Sequence, residues 1–191
     1  MAYFCREMIK MKTVNKNELL AKLTLMVERH LDEATFKFKP NATAILTAPA
    51  SNGGWSIVQC LEHLNTYGNY YLPRIEKGLH SFSGQPTDTF KSSWLGMYFT
   101  NMMDVSKGTK KYKAARLHVP VPLLDAQVVL AEFVRQQQAL LGYLRLAANV
   151  DLNAIKIPIS IAKLINLKLG DVLQFMVMHN ERHLQQASRN L

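Results

Sequence analysis

Two of the six histidines, His179 and His183, stand four residues apart in the run His179-Asn180-Glu181-Arg182-His183. On a helix this spacing puts both side chains on one face, with Cβ atoms about 6 Å apart, so that two imidazoles can reach one metal ion. Such a site needs at least one further ligand from another element. His63 is the natural candidate, two turns into a helix beside which the C-terminal helix can lie. The residues also allow a simpler arrangement, in which His179 and His183 are partly exposed polar side chains and His63 is a hydrogen-bonded core histidine.

Other chemistries find less support. The zincin pattern needs Glu directly after the first histidine, where this chain has Asn180. Glu181 is two residues from each histidine, about 200° round the helix, and is expected to face away from them. A dinuclear carboxylate centre needs Glu three residues before each of two histidines. Those positions hold Val27, Cys60, Lys77, Ala115, Met176 and Asn180. The two cysteines, Cys5 and Cys60, make neither a disulfide framework nor a thiolate zinc site, and Cys60 reads as core. A reducing cytoplasm is the compartment expected.

The elements that must position these residues are helical. Asn15 with Glu18, Ser56 with Gln59, Asp125, and Asp171 with Gln174 are the cap signals of helices over about 15–37, 56–79, 125–148 and 171–189. Each carries an apolar stripe at helical spacing, as in Leu19, Leu20, Leu23, Met26, Val27 and Leu31. Pro73 should kink or end the second helix early, and Gly170 should break the chain before the fourth. Residues 81–122 form a long connection in which Trp94–Phe99 reads as a short helix or flap. Ile155–Ile159 looks like a strand without a partner and reads as an extended connector. The pattern predicts an all-α four-helix bundle with a long connection between the second and third helices, which leaves room for a crossover. One domain is expected over 15–191, behind an N-terminal extension of residues 1–14.

The chain has 191 residues, 48% of them hydrophobic and 19% charged, which excludes a disordered chain. No stretch approaches the roughly 18 apolar residues of a membrane span, and charges interrupt the N-terminus where a secretory signal would be apolar. Of the net charge of +9, five units come from Lys107, Lys110, Lys111, Lys113 and Arg116, leaving +4. That run reads as a solvated loop, so neither nucleic acid nor a membrane is an expected partner; only Tyr112 supplies an interleaved aromatic.

The run Trp55-Ser56-Ile57-Val58-Gln59-Cys60-Leu61-Glu62-His63-Leu64 resembles the first signature of the DinB/YfiT-like superfamily, in which Trp-Ser opens a helix ending in a metal-binding histidine. His179 to Gln186 resembles its second signature, H-x-x-x-H-x-x-Q, and Trp94 to Met103 is similar to a segment of one branch. The resemblance spans about 15–190. It implies a four-helix bundle with one divalent ion (nickel, zinc or iron) on His63, His179 and His183, often in a homodimer. It also implies a small-molecule substrate and, in some members, a low-molecular-weight thiol. Thiol-dependent S-transferase or hydrolase chemistry on a small electrophile is the activity it suggests; a non-catalytic metal- or ligand-binding bundle is the alternative. No catalytic residue is assigned. Gln186, Tyr67, Tyr70 and Trp94 are the expected supporting or pocket residues. Ligating imidazoles must be neutral, so metal affinity is expected to fall as the pH drops through about 6. Replacing any one of His63, His179 and His183 by Ala is expected to weaken metal binding far more than replacing His30, His80 or His118.

Overall fold

All the long helices but the last begin at a side chain that accepts one or more of their first free N–H groups. The computed structural model describes residues 13–107 and 112–191. Residues 1–12, most of the expected extension, and 108–111, the middle of the basic run, lie outside the described residues. Helix α1 (Lys16–Asp32) starts where Asn15 Oδ1 accepts the Glu18 N–H at 3.1 Å, and widens into a π-helical turn over Glu33–Phe38. After the short α2 (Thr43–Thr47), α3 (Ile57–His80) opens on a complete capping box, Ser56 and Gln59 each bonding the other's backbone N–H. Helix α4 (Trp94–Met103) is capped by Ser93, and α5 (Ala126–Ala147) by Asp125. Helix α6 (Leu169–Ser188) completes the bundle.

Helices α1 and α3 each pack against α5 and α6. Cross-helix bonds set the directions. Lys16 at the start of α1 donates to the Ala148 and Val150 carbonyls beyond the end of α5, while His30 and Lys37 meet Glu181 and Ser188 in sequence order. Hence α1 runs against α5 and with α6. Asn65 bonds the Val129 carbonyl and Asn69 meets Gln136, so α3 runs with α5. Trp55 meets Asn190 and Tyr71 meets Phe175, so α3 runs against α6. Two parallel neighbours, α3 and α5, require the intervening chain to travel back along the bundle. It does so through α4, which packs on α6.

One local expectation is narrowed and two are corrected. Of a kink or an early end at Pro73, the early end does not occur: α3 continues to His80, with Leu72 and Ile75 on either side buried in the core, where tertiary packing overrides the local cost. Asp171 is not the cap of α6, whose first residue is Leu169. Its fully buried carboxylate instead accepts the Ser93 N–H and O–H, tying α4 to α6. Ile155–Ile159 does have a partner: β3 (Lys156–Ile159) pairs antiparallel with β4 (Ala162–Lys168), closing at Ser160-Ile161 with a register shift at Pro158/Ile159. A second small pair joins β1 (Thr13–Asn15) to β2 (Thr89–Lys91), also antiparallel. The bundle remains the architecture, with these hairpin-sized pairs at its margins.

Two apolar clusters fill the bundle. One gathers Tyr71, Ile75, Leu79, Val172, Leu173 and Met176 with their neighbours; the other gathers Ile57, Leu61, Leu64, Phe133, Leu184 and Ala187 with theirs. Between them lies a buried polar layer that holds His63, His179, Asn65, Gln136, Gln137 and Asn180. Gln136 Nε2 donates to the Asn65 carbonyl at 3.1 Å, and Asn180 donates to Gln137 Oε1 at 3.0 Å. The Gln136 amide occupies the space that a Cβ at Gly68 would need.

Candidate metal centre

Antiparallel packing of α3 and α6 brings His63 opposite His179 and His183 within that polar layer. Ligand atoms of the three histidines all lie within 4.8 Å of one another. His63 Nε2 and His179 Nε2 are 3.2 Å apart. Two nitrogens held about 2.0–2.1 Å from one ion would be separated by roughly 3.0–3.4 Å, so this pair already has the spacing of two ligands. His63 and His179 are buried and His183 half-buried.

The outer nitrogens are engaged in ways that aim the inner ones. His63 Nδ1 donates to the His118 carbonyl at 2.6 Å. His183 Nδ1 donates to Gln186 Oε1 at 3.0 Å. Both residues therefore carry their proton on Nδ1 and turn an Nε2 lone pair toward the group, the tautomer that a metal requires. Trp55, half-buried at the mouth of α3, closes one side, its ring 4.8 Å from His63 and 5.9 Å from His183.

Burial holds these imidazoles neutral. It lowers the His63 pKa against an opposing contribution from the His118 carbonyl. Burial, then the neighbouring His183 and His63, lowers His179 well below its ordinary range, and burial and His63 take His183 down to about 3. A group of three neutral imidazoles with no carboxylate among them suits a divalent ion and leaves coordination positions open.

A small cavity of about 60 Å³ adjoins the group. Tyr67 and Phe175 form the shared wall, with ring centroids 4.5 and 5.3 Å from that of His179. Phe99, Met102 and Met103 of α4, with Ser160 and Ile161 of the hairpin turn, form much of the rest. Burial pushes the Tyr67 hydroxyl up to about 12, so it stays protonated and can donate.

The other expected pocket residues lie elsewhere. Tyr70 faces Arg74, whose guanidinium sits 3.7 Å over its ring, and its hydroxyl meets the Ile159 carbonyl at 3.4 Å. Trp94, at the start of α4, is 65% exposed and stacks on Tyr98; the flap covers the cavity with its last turns, not with its tryptophan. Glu181 does face away, accepting from Arg29 and from buried His30 on α1. His80 is exposed.

His118 was not legible as part of the site. It is a solitary histidine in an irregular basic segment, and its link to His63 is a backbone carbonyl that no side-chain pattern announces. It is 1% exposed and stacks on Tyr67 at 3.7 Å between centroids. It is not among the three grouped histidines, but its carbonyl is the acceptor for His63 Nδ1.

A family model described as the DinB superfamily matches residues 19–187. No curated protein matches the sequence. Among solved structures the chain is similar to YfiT from Bacillus subtilis, described as a probable metal-dependent hydrolase with an unusual four-helix bundle topology. The likeness has a TM-score of 0.53 at 14% identity, over 100% of this chain and 90% of that one, and it supports the bundle fold. With nearly its whole length matched and the expected three histidines gathered between α3 and α6, the chain belongs to the DinB superfamily.

Proposed function

We propose that this protein is a metal-dependent enzyme. It holds one divalent ion on His63, His179 and His183 and acts on a small electrophilic substrate in the adjoining cavity, by hydrolysis or by transfer to a low-molecular-weight thiol. The observation that carries this reading is the convergence of three neutral imidazoles, with no carboxylate in the group, beside a cavity. Bound there, nickel, zinc or iron would supply Lewis acidity and a lowered pKa for a water or thiol. The description of YfiT as a hydrolase favours the hydrolytic branch.

The chain's own contribution is orientation and exclusion of water. His118 and Gln186 fix the tautomers of two ligands. Tyr67 and Phe175 keep the approach to His179 largely apolar. The cavity's polar side chains are the hydroxyls of Tyr67, Tyr71 and Ser160, with no charged group among its lining residues, which suits a neutral substrate.

The reading places one domain over 15–191 in the cytoplasm; among the described residues no helix is long and apolar enough to cross a membrane. It includes a homodimer. Trp94 and Tyr98 on α4 and Leu164 and Ile165 on β4, two elements in contact, leave large apolar groups exposed.

Elemental analysis of untagged protein, purified without a nickel column, tests the metal. About one ion per chain is expected, and a metal-free protein that takes up no zinc, nickel or iron would overturn the reading. Turnover of activated esters and alkyl halides, with and without added thiol, then separates hydrolysis from transfer. A loaded protein inert in both would be the non-catalytic binding bundle.

A further inference from the structure

His118 is bonded at both ring nitrogens as well as at its carbonyl, and the direction of every bond can be assigned. The Thr66 hydroxyl has one hydrogen, which it donates to the His63 carbonyl at 2.7 Å. Toward His118 Nδ1, 2.9 Å away, Thr66 Oγ1 can then only accept, so Nδ1 carries the ring proton. The lone pair on His118 Nε2 accepts from the Ser160 hydroxyl at 2.9 Å. The His118 carbonyl accepts the His63 Nδ1–H. A directed chain thus runs from Ser160 through the His118 ring to Thr66, and from the same residue's backbone to His63.

Among the described residues the backbone–backbone bonds of the segment around His118 are short-range. His118 ends a single 3₁₀ turn, Arg116–His118, whose bonds, His118 N–H to the Ala115 carbonyl and Val119 N–H to the Arg116 carbonyl, are local. Besides the carbonyl bond to His63, the His118 side chain joins this turn to α3 and to the β3–β4 hairpin, bonded on two sides and stacked on Tyr67. Ser160 is itself fixed, its N–H donating to Tyr71 Oη at 3.2 Å. It also lines the cavity, so the chain reaches from the cavity wall to a ligand histidine.

We propose that the Ser160–His118–Thr66 chain fixes His63 in its ligating tautomer and orientation, which makes His118 and Ser160 positioning residues of the three-histidine centre although neither is a ligand. The inference rests on the reading of that group as a metal centre, but it makes a claim about the metal-free protein that stands apart from it.

The test uses the full chain. Long-range ¹H–¹⁵N NMR of the metal-free protein should show His63 as a single Nδ1–H tautomer, and calorimetry with zinc should give its affinity. In His118→Ala and Ser160→Ala the His63 tautomers should mix, and zinc affinity should fall by about 10- to 100-fold, the usual cost of losing an outer-layer partner. His118→Asn, whose amide can still donate to Thr66, should recover part of both. Ser160→Ala keeps the His118 ring and the Ser160 N–H bond to Tyr71, so it carries the test should His118→Ala not fold. A folded Ser160→Ala protein with an unchanged His63 tautomer and unchanged zinc affinity overturns the proposal. If the parent takes up no zinc while the variants still release the His63 tautomer, the metal reading fails and the positioning role stands.

Discussion

His183 Nδ1 and Gln186 Oε1 lie 3.0 Å apart, one turn along α6. The amide oxygen can only accept, so it commits the imidazole proton to Nδ1 and leaves Nε2 for the centre. His63 reaches the same tautomer by a different route, through a backbone carbonyl 55 residues away in sequence. Only the first of these arrangements is written in local spacing.

Gln186→Ala should therefore weaken zinc binding by about 10- to 100-fold without unfolding the protein, because Gln186 is half-buried and bonds within its own helix. Gln186→Glu keeps an acceptor at the same reach and should restore most of the affinity. Calorimetric titration of both variants checks the pair; equal affinity in Gln186→Ala and the parent would remove Gln186 from the site.

Replacing any one of His63, His179 and His183 by Ala should reduce zinc affinity far more than replacing Gln186, since each deletes a ligand atom and leaves two. His80→Ala is the appropriate control, being exposed and remote from the group. His118→Ala is not a control, for it removes the ring whose bonds to Thr66 and Ser160 hold in place the carbonyl that accepts the His63 Nδ1–H. Parent-like affinity in His63→Ala would show that the third ligand, and with it the role of the α3–α6 pairing, has been misassigned.

The four long helices and the His-x-x-x-His pair were legible because both are local. Caps at Asn15, Ser56 and Asp125 act within three residues of the helix start, and an i, i+4 pair shares a face in any helix. Asp171 misled for the same reason. It has the chemistry of a cap, but its oxygens are claimed by Ser93, 78 residues away. The hairpin was missed because β4 lacks clean alternation: Leu164 and Ile165 are both exposed, and Leu167 is buried. Nothing in such a stretch tells which face is inward, so its pairing with β3 depends on packing against α3, α4 and α6.

Glu181 stands between two ligand histidines in sequence and serves the opposite side of α6. Its carboxylate accepts from His30 Nε2 at 3.0 Å, and His30 is fully buried with no described partner at Nδ1. Glu181→Ala should remove the one described bond of the His30 ring, at a cost of about 1–3 kcal/mol in folding stability, while zinc affinity stays within a few-fold of the parent. Chemical denaturation of the metal-free protein, set beside calorimetry, separates the two effects. A large loss of zinc affinity at unchanged stability would contradict the assignment.

Acid should destabilise the metal-free protein before its carboxylates titrate. In the unfolded chain each histidine takes up a proton near 6.5; in the folded chain burial lowers His118 to about 4 and His183 to about 3, with His179 lower than its ordinary range as well. Between those values the unfolded state binds more protons, so the stability owed to neutral imidazoles is complete above about 6.5 and is lost progressively as the pH falls. Each such group contributes a slope approaching 1.4 kcal/mol per pH unit, by the usual conversion. Glu181, lowered from 4.5 to about 2 chiefly by the His30 bond, adds its own loss only below about 4.5. Urea midpoints should therefore decline from about pH 6.5 downward, with a further loss below 4.5; a midpoint constant from pH 7 to 5 would contradict the buried neutral cluster. Metal binding shifts accordingly. Free imidazoles would lose an ion to protons near pH 6, but protons compete for these sites only nearer the folded values. Zinc should therefore remain bound at pH 5.5 in the parent, as equilibrium dialysis against a metal buffer can measure.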